Sequence, residues 1–126
     1  MYNKVYINSE GLLIIWVVGD QSRESVREMG EKLEFYVEQL RAEGKPVLIL
    51  DNLLRMGHTT SEARAEVARI AKRLPFERAA MVGGGGTAMR FGTNLMLRAI
   101  GKRNLRFFAS MEAADVWLQG ARSVKK

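Results

Sequence analysis

Residues 44–52 read Gly-Lys-Pro-Val-Leu-Ile-Leu-Asp-Asn. Gly44 and Pro46 punctuate the chain, and the aliphatic run from Val47 to Leu50 then meets Asp51-Asn52. A short run with no polar alternation has no wet face. Bounded by breakers, it reads as a strand covered on both sides, as in a parallel sheet between layers. The expectation is that this strand ends at Asp51-Asn52, where it reaches solvent.

Upstream, Val26, Met29, Leu33, Val37 and Leu40 recur at three- and four-residue steps, with glutamates mainly between them, which is the pattern of a half-buried helix. Ser25 and Glu28 have capping-box spacing near its start, and Gly44 is placed to end it. Before it, Lys4 to Ile7 and Leu12 to Val18 are β-rich runs joined by Asn8-Ser9-Glu10-Gly11, a turn composition, so they predict a hairpin. In the second run both alternating sets are apolar, predicting a central strand. Gly19 to Ser22 is read as the break after it.

Downstream, Thr59 and Glu62 repeat the capping-box spacing and open a helix with an inner face of Ala63, Val67, Ile70, Ala71 and Leu74, stopped by Pro75. Arg78 to Val82 reads as a further parallel strand running into Gly83-Gly84-Gly85-Gly86-Thr87. A helix carrying Phe91, Leu95 and Ile100 follows, with Gly101 at its end. Asn104 to Phe108 makes a last strand, and Ser110 caps a helix burying Ala113, Ala114, Trp117 and Leu118. The predicted fold is α/β: a single layered domain with a five-stranded, mostly parallel mixed sheet and four helices in the order ββαβαβαβα. It spans residues 1–122, with 123–126 as a basic tail.

The 126 residues suit one core. Cysteine is absent, which removes disulfides, thiolate metal sites and cysteine nucleophiles. The first residues lack the pattern of a secretory signal, and no apolar stretch reaches membrane-spanning length, so the expected location is cytoplasmic. The net charge of +6 is uneven: residues 1–52 hold six basic and nine acidic groups, residues 53–126 fourteen and five. The basic residues are scattered singly with no aromatic platform, which favours a solvated surface over nucleic-acid binding.

GKPVLILDN at 44–52, ERAAMVGG at 77–84 and NLRFFASMEAADVWL at 104–118, set in this element order, resemble the STAS domain. The resemblance is to its SpoIIAA-like branch, related in shape to lipid-carrying CRAL-TRIO domains. It implies a regulatory binding module of anti-sigma-factor-antagonist type. In that family a serine in a D-S-x-G-type motif, at the helix after the third strand, is phosphorylated by a partner kinase. Here the corresponding stretch is Gly57-His58-Thr59-Thr60-Ser61-Glu62, with no Asp-Ser pair and no following glycine. Thr60 falls nearest the phospho-position and Thr59 nearest the aspartate, so Thr60, Ser61 and Thr59 are the candidate phosphoacceptors.

In parallel α/β sheets ligands meet the carboxyl ends of strands. The predicted binding face therefore gathers Asp51 and Asn52, His58, Thr59 and Thr60, and the loop Gly83, Gly84, Gly85, Gly86 and Thr87, with Arg90 beyond it. Glycines and a helix start favour anions, but the loop has neither a P-loop nor a dinucleotide-binding spacing. Asp51 and Asp20 form a conceivable carboxylate pair at neighbouring strand ends, better read as solvated or capping groups. His58 is the sole histidine, so no histidine metal site or dyad can be built from this chain. No residue is assigned a catalytic role, no metal site and no cofactor is expected, and the chain is read as non-enzymatic. A protein partner is expected, with a small apolar or anionic ligand as the alternative. The apolar case rests on the methionines Met56, Met81, Met89, Met96 and Met111, and on Trp16 and Phe35, all otherwise expected in the core. A homodimer through an exposed helix or the hairpin edge is the expected self-association.

Overall fold

A computed structural model describes residues 3–84, 86, 89, 95 and 104–124. The strands are β1 (Lys4–Ile7), β2 (Leu13–Gln21), β3 (Leu48–Thr59), β4 (Arg78–Val82) and β5 (Leu105–Phe108). Three helices are defined among the described residues: α1 (Arg23–Ala42), α2 (Ser61–Arg73) and α3 (Met111–Val124). Four helices were expected. The expected one carrying Phe91, Leu95 and Ile100 lies, apart from Leu95, outside the described residues.

The five strands form one sheet in sequential order. β1 runs antiparallel to β2, and β2 through β5 run parallel. Right-handed crossovers that step in one direction across a sheet place their helices on one face. Accordingly α1 and α2 cover the face formed by Leu13, Ile15, Val17, Ile49, Leu53, Ala79 and Met81, where Leu95 is buried too. The opposite face presents Leu12, Ile14, Leu48, Leu50, Ala80 and Val82, and packs against Ala114, Leu118 and Ala121 of α3. Both alternating sets of the 47–50 run are thus buried, as are Leu12 to Ile15 and Val17, while Trp16 and Val18 are half-buried.

Local chemistry sets the helix ends. Ser22, not Ser25, is the N-cap of α1: its hydroxyl accepts from the Ser25 N–H, and Ser25 Oγ accepts from the Ser22 N–H. β2 runs on to Gln21 rather than breaking at Gly19, which adopts a left-handed φ of 76° within it. At the other end of α1 the Lys45 N–H reaches the Leu40 carbonyl and the Gly44 N–H that of Arg41, with Gly44 at φ 69°, a Schellman closure. α2 is capped by Thr60, one residue after the expected Thr59. Ser110 caps α3 as expected, accepting from the Ala113 N–H at 3.1 Å.

Several core assignments change. Phe35 is 64% exposed, lying off the α1 stripe, and Ala113 is exposed on the outer side of α3. Met89 and Met111 are exposed while Met81 is fully buried. Gly30 lets α1 and α2 approach closely, since a Cβ there would lie 2.6 Å from Ile70 Cδ1.

Candidate functional site

The run at 47–52 does not end the strand. β3 continues to Thr59, and its two halves have different neighbours. From Ile49 to Asn52 it is bonded to both β2 and β4, whereas beyond Asn52 it pairs with β2 alone. The outer half is therefore a two-stranded ribbon reaching past the rest of the sheet. At about 3.3 Å per residue, Thr59 lies roughly 20 Å along the strand from Asn52.

Two bulges shape that ribbon. Trp16 pairs with Asn52 but Val18 with Arg55, and Gly19 pairs with Met56 but Gln21 with Thr59, so β3 twice inserts an extra residue. A bulge frees a backbone N–H, and a side-chain oxygen meets each one. Asn52, fully buried, accepts the Leu54 N–H on Oδ1 at 3.0 Å. Asp20 accepts the His58 N–H on Oδ1 at 2.9 Å. Gly57 is required beneath that carboxylate, because a Cβ there would lie 2.3 Å from Asp20 Oδ1.

A polar knot anchors the root of the ribbon. Gln21 is buried; its amide nitrogen donates to Asn3 Oδ1 and to the carbonyls of Val18 and Gly19, each at 3.1 Å. Its oxygen accepts from Asn3 Nδ2 at 2.8 Å and from Ser25 Oγ at 3.0 Å. The Gln21 carbonyl accepts the Thr60 N–H at 3.3 Å, which ties the start of α2 to the start of α1. Asn3 and Gln21 were not singled out from sequence. Gln21 carried a faint signal, as a polar residue continuing the inward alternation of Leu13, Ile15 and Val17.

At the ribbon tip, His58, Thr60 and Ser61 are exposed. The Thr60 hydroxyl accepts from the Ala63 N–H at 3.0 Å. Thr59 is half-buried; its carbonyl and hydroxyl accept from Arg64 at 2.7 and 3.3 Å. Ser61 Oγ donates to Glu62 at 3.3 Å. The Arg64 guanidinium, the Thr60-capped helix N-terminus with Glu62 in its first turn, and exposed hydroxyls therefore share one small surface, where the helix dipole favours negative charge.

Among the described residues, the expected members of the single binding face are not brought together. Asp51 and Asn52 lie inside the sheet, level with Met81 and Val82. Gly83 is buried, and its N–H is spent on the Phe108 carbonyl at 3.2 Å, so it cannot serve an anion. Gly84 and Gly86 are exposed, the latter at φ 61°. Gly85, Thr87 and Arg90 fall outside the described residues. Asp20 and Asp51 do not pair either, since Asp51 is opposite Ile15 while Asp20 serves the outer bulge.

Asp51 is the outlier of the core. It points toward α1 and α2 among Ile15, Met29, Val67 and Met81. The residue as a whole keeps partial exposure, but its Oδ1 is sealed without a hydrogen-bond partner. Burial pushes its carboxyl up to about 7, because an apolar surrounding disfavours the charged form. The cavity beside it measures about 60 Å³. An engineered cavity of about 150 Å³ accommodates benzene, so this one is far short of an acyl chain. Among the described residues no group of three His, Asp or Glu side chains is placed to hold a metal ion, and no helix is long and apolar enough to cross a membrane.

No family model and no curated protein matches the sequence. Solved structures do match the fold. An uncharacterized protein of the DUF3478 family with a SpoIIAA-like fold, from Shewanella loihica PV-4, superposes with a TM-score of 0.64 at 18% identity, covering 92% of this chain and 91% of that one. The anti-sigma factor antagonist SpoIIAA in its unphosphorylated form gives a TM-score of 0.60 at 15% identity, covering 94% and 98%. The chain has the SpoIIAA-like fold, as the three quoted stretches led us to expect.

Proposed function

Starting from a SpoIIAA-like fold, we propose that this chain is a non-enzymatic regulatory module that binds a protein partner through the tip of the β2–β3 ribbon and the start of α2. The carrying observation is that β3 outruns β4 and presents His58, Thr60 and Ser61 together at the start of α2. The likeness to an anti-sigma factor antagonist supports a regulatory role. A non-enzymatic reading fits the placement of two polar groups: His58 is exposed at the tip, whereas Asp51 lies inside the sheet, so among the described residues these two do not converge as base and orienting group.

Thr60 and Ser61 are the proposed phosphoacceptors, with Thr59 less accessible. A phosphate on Thr60 would sit at the N-cap, where the helix dipole and the Arg64 guanidinium both favour it. The same phosphate would replace a neutral, hydrogen-bonding tip by a dianionic one, which is a switch in what the tip can dock.

The test is affinity purification of the tagged protein from its own host, read by mass spectrometry for co-purifying proteins and for modification at residues 59–61. The expected result is a reproducible partner lost on His58→Glu or Thr60→Asp replacement at unchanged melting temperature. Recovery of no partner, with all three hydroxyls unmodified, sinks the proposal.

A further inference from the structure

The two faces of the sheet are not equally covered. α3 packs on β4, with smaller contacts to β3 and β5, and among the described residues the β1–β2 half of its face has no helix over it. A trough of about 410 Å³ runs there beside the start of α3. Tyr6, Trp16 and Met111 are among its apolar lining, and Trp16 Nε1 donates to the Tyr6 hydroxyl at 3.2 Å, which fixes both rings. Tyr6 and Met111 are 40% and 37% exposed.

The charge of the trough opposes that of the chain. Glu10, Glu112 and Asp115 line it, and no lysine or arginine does among the described residues. The chain as a whole carries +6, and residues 53–126 hold only five acidic groups, two of which are Glu112 and Asp115. Arg55 stands outside this lining, 5.6 Å over the Trp16 ring, and Lys4 pairs with Trp16 across β1, so the acidic groups mark the end of the trough at the start of α3. The dimensions also fit one kind of occupant. Two strands about 4.8 Å apart span about 10 Å, which is the width of one helix lying alongside α3.

We propose that this trough docks an amphipathic helix of a protein partner, its apolar stripe on Tyr6, Trp16 and Met111 and its lysines or arginines toward Glu112 and Asp115. This is helix-in-groove recognition with electrostatic selection for a basic ligand. It goes beyond the ribbon-tip reading, because the trough lies on the α3 face of the sheet and uses none of residues 58–61.

The probe is a synthetic amphipathic helical peptide of leucine and lysine, with its leucine–glutamate counterpart as control, added to the full chain. Net charge repels the basic peptide, so its binding requires a local acidic site. Amide chemical shifts are expected to move around Tyr6, Trp16 and Met111 with the basic peptide only. Glu112→Lys with Asp115→Lys should weaken binding at least tenfold. Glu31→Lys with Glu38→Lys, the same charge change on α1, should not match that loss. Equal binding of both peptides, shifts confined to other surfaces, or equal loss from the two double variants would each overturn the proposal. So would light scattering showing a homodimer that Tyr6→Lys dissociates, which assigns the face to a second copy. None of these outcomes touches the ribbon-tip test, so the two readings fail separately.

Discussion

The inner and outer halves of β3 are one strand in two environments. From Ile49 to Asn52 the strand has a neighbour on either side, and the side chains face two apolar layers. From Leu53 to Thr59 there is one neighbour, two bulges, and side-chain oxygens at the free N–H groups. The inner half is specified by burial, which tolerates no unpaired polar group cheaply. The outer half is specified by individual hydrogen bonds, which place a few residues accurately at the surface. Asp51 is the place where the inner half breaks its own rule.

The largest effect should come from testing that breach. In the unfolded chain the Asp51 carboxyl loses its proton near 3.8, and in the folded chain near 7. Between those values the unfolded state is the one that gains by ionising, so stability falls as pH rises through the window and stays lost above it. The full shift corresponds to about 4 kcal/mol, an upper bound that the partial exposure of the residue reduces. Asp51→Asn should flatten this dependence. Denaturant melts at several pH values should show the variant ahead of wild type above pH 7, with the two converging toward pH 4. Parallel curves would mean that the carboxyl is solvated.

What the sequence revealed follows the same division. The 47–50 run announced a doubly covered strand because burial alone dictates such composition. The outer half was hidden because each bulge shifts the phase of alternation, so Leu53, Leu54, Arg55 and Met56 do not read as strand. Asp51-Asn52 looked like an end because an acid after an apolar run usually meets water. Caps were located to within a few residues, Thr60 for Thr59 and Ser22 for Ser25, since neighbouring hydroxyls compete for the same role. The Asn3–Gln21 pair joins residues 18 apart, and no local pattern encodes it. Phe35 was legible after all: two residues from Leu33, it falls off the helical stripe.

A smaller effect should separate the halves at Gly57. Any side chain there meets the Asp20 carboxylate, which must move and release the His58 N–H. Gly57→Ala should cost about 1–3 kcal/mol by overpacking and loss of that bond. Hydrogen exchange should show the opening confined to the ribbon, with the amides of Leu48 to Leu50 still protected. If those inner amides exchange equally, the ribbon is continuous with the core in stability as well as in chain.

The smallest effect bears most directly on function. The Thr60 side chain contributes to α2 through one cap, its oxygen on the Ala63 N–H, so Thr60→Ala should cost about 1 kcal/mol. Thr60→Asp keeps a capping oxygen and adds a charge that the helix dipole and Arg64 favour, so its melting temperature should equal or exceed that of wild type. The comparison separates the structural role of the hydroxyl from its proposed signalling role. If both variants lose partner binding, the hydroxyl itself is read. If Thr60→Ala binds and Thr60→Asp does not, charge at the tip is the switch, and the stability of α2 is not what the partner senses.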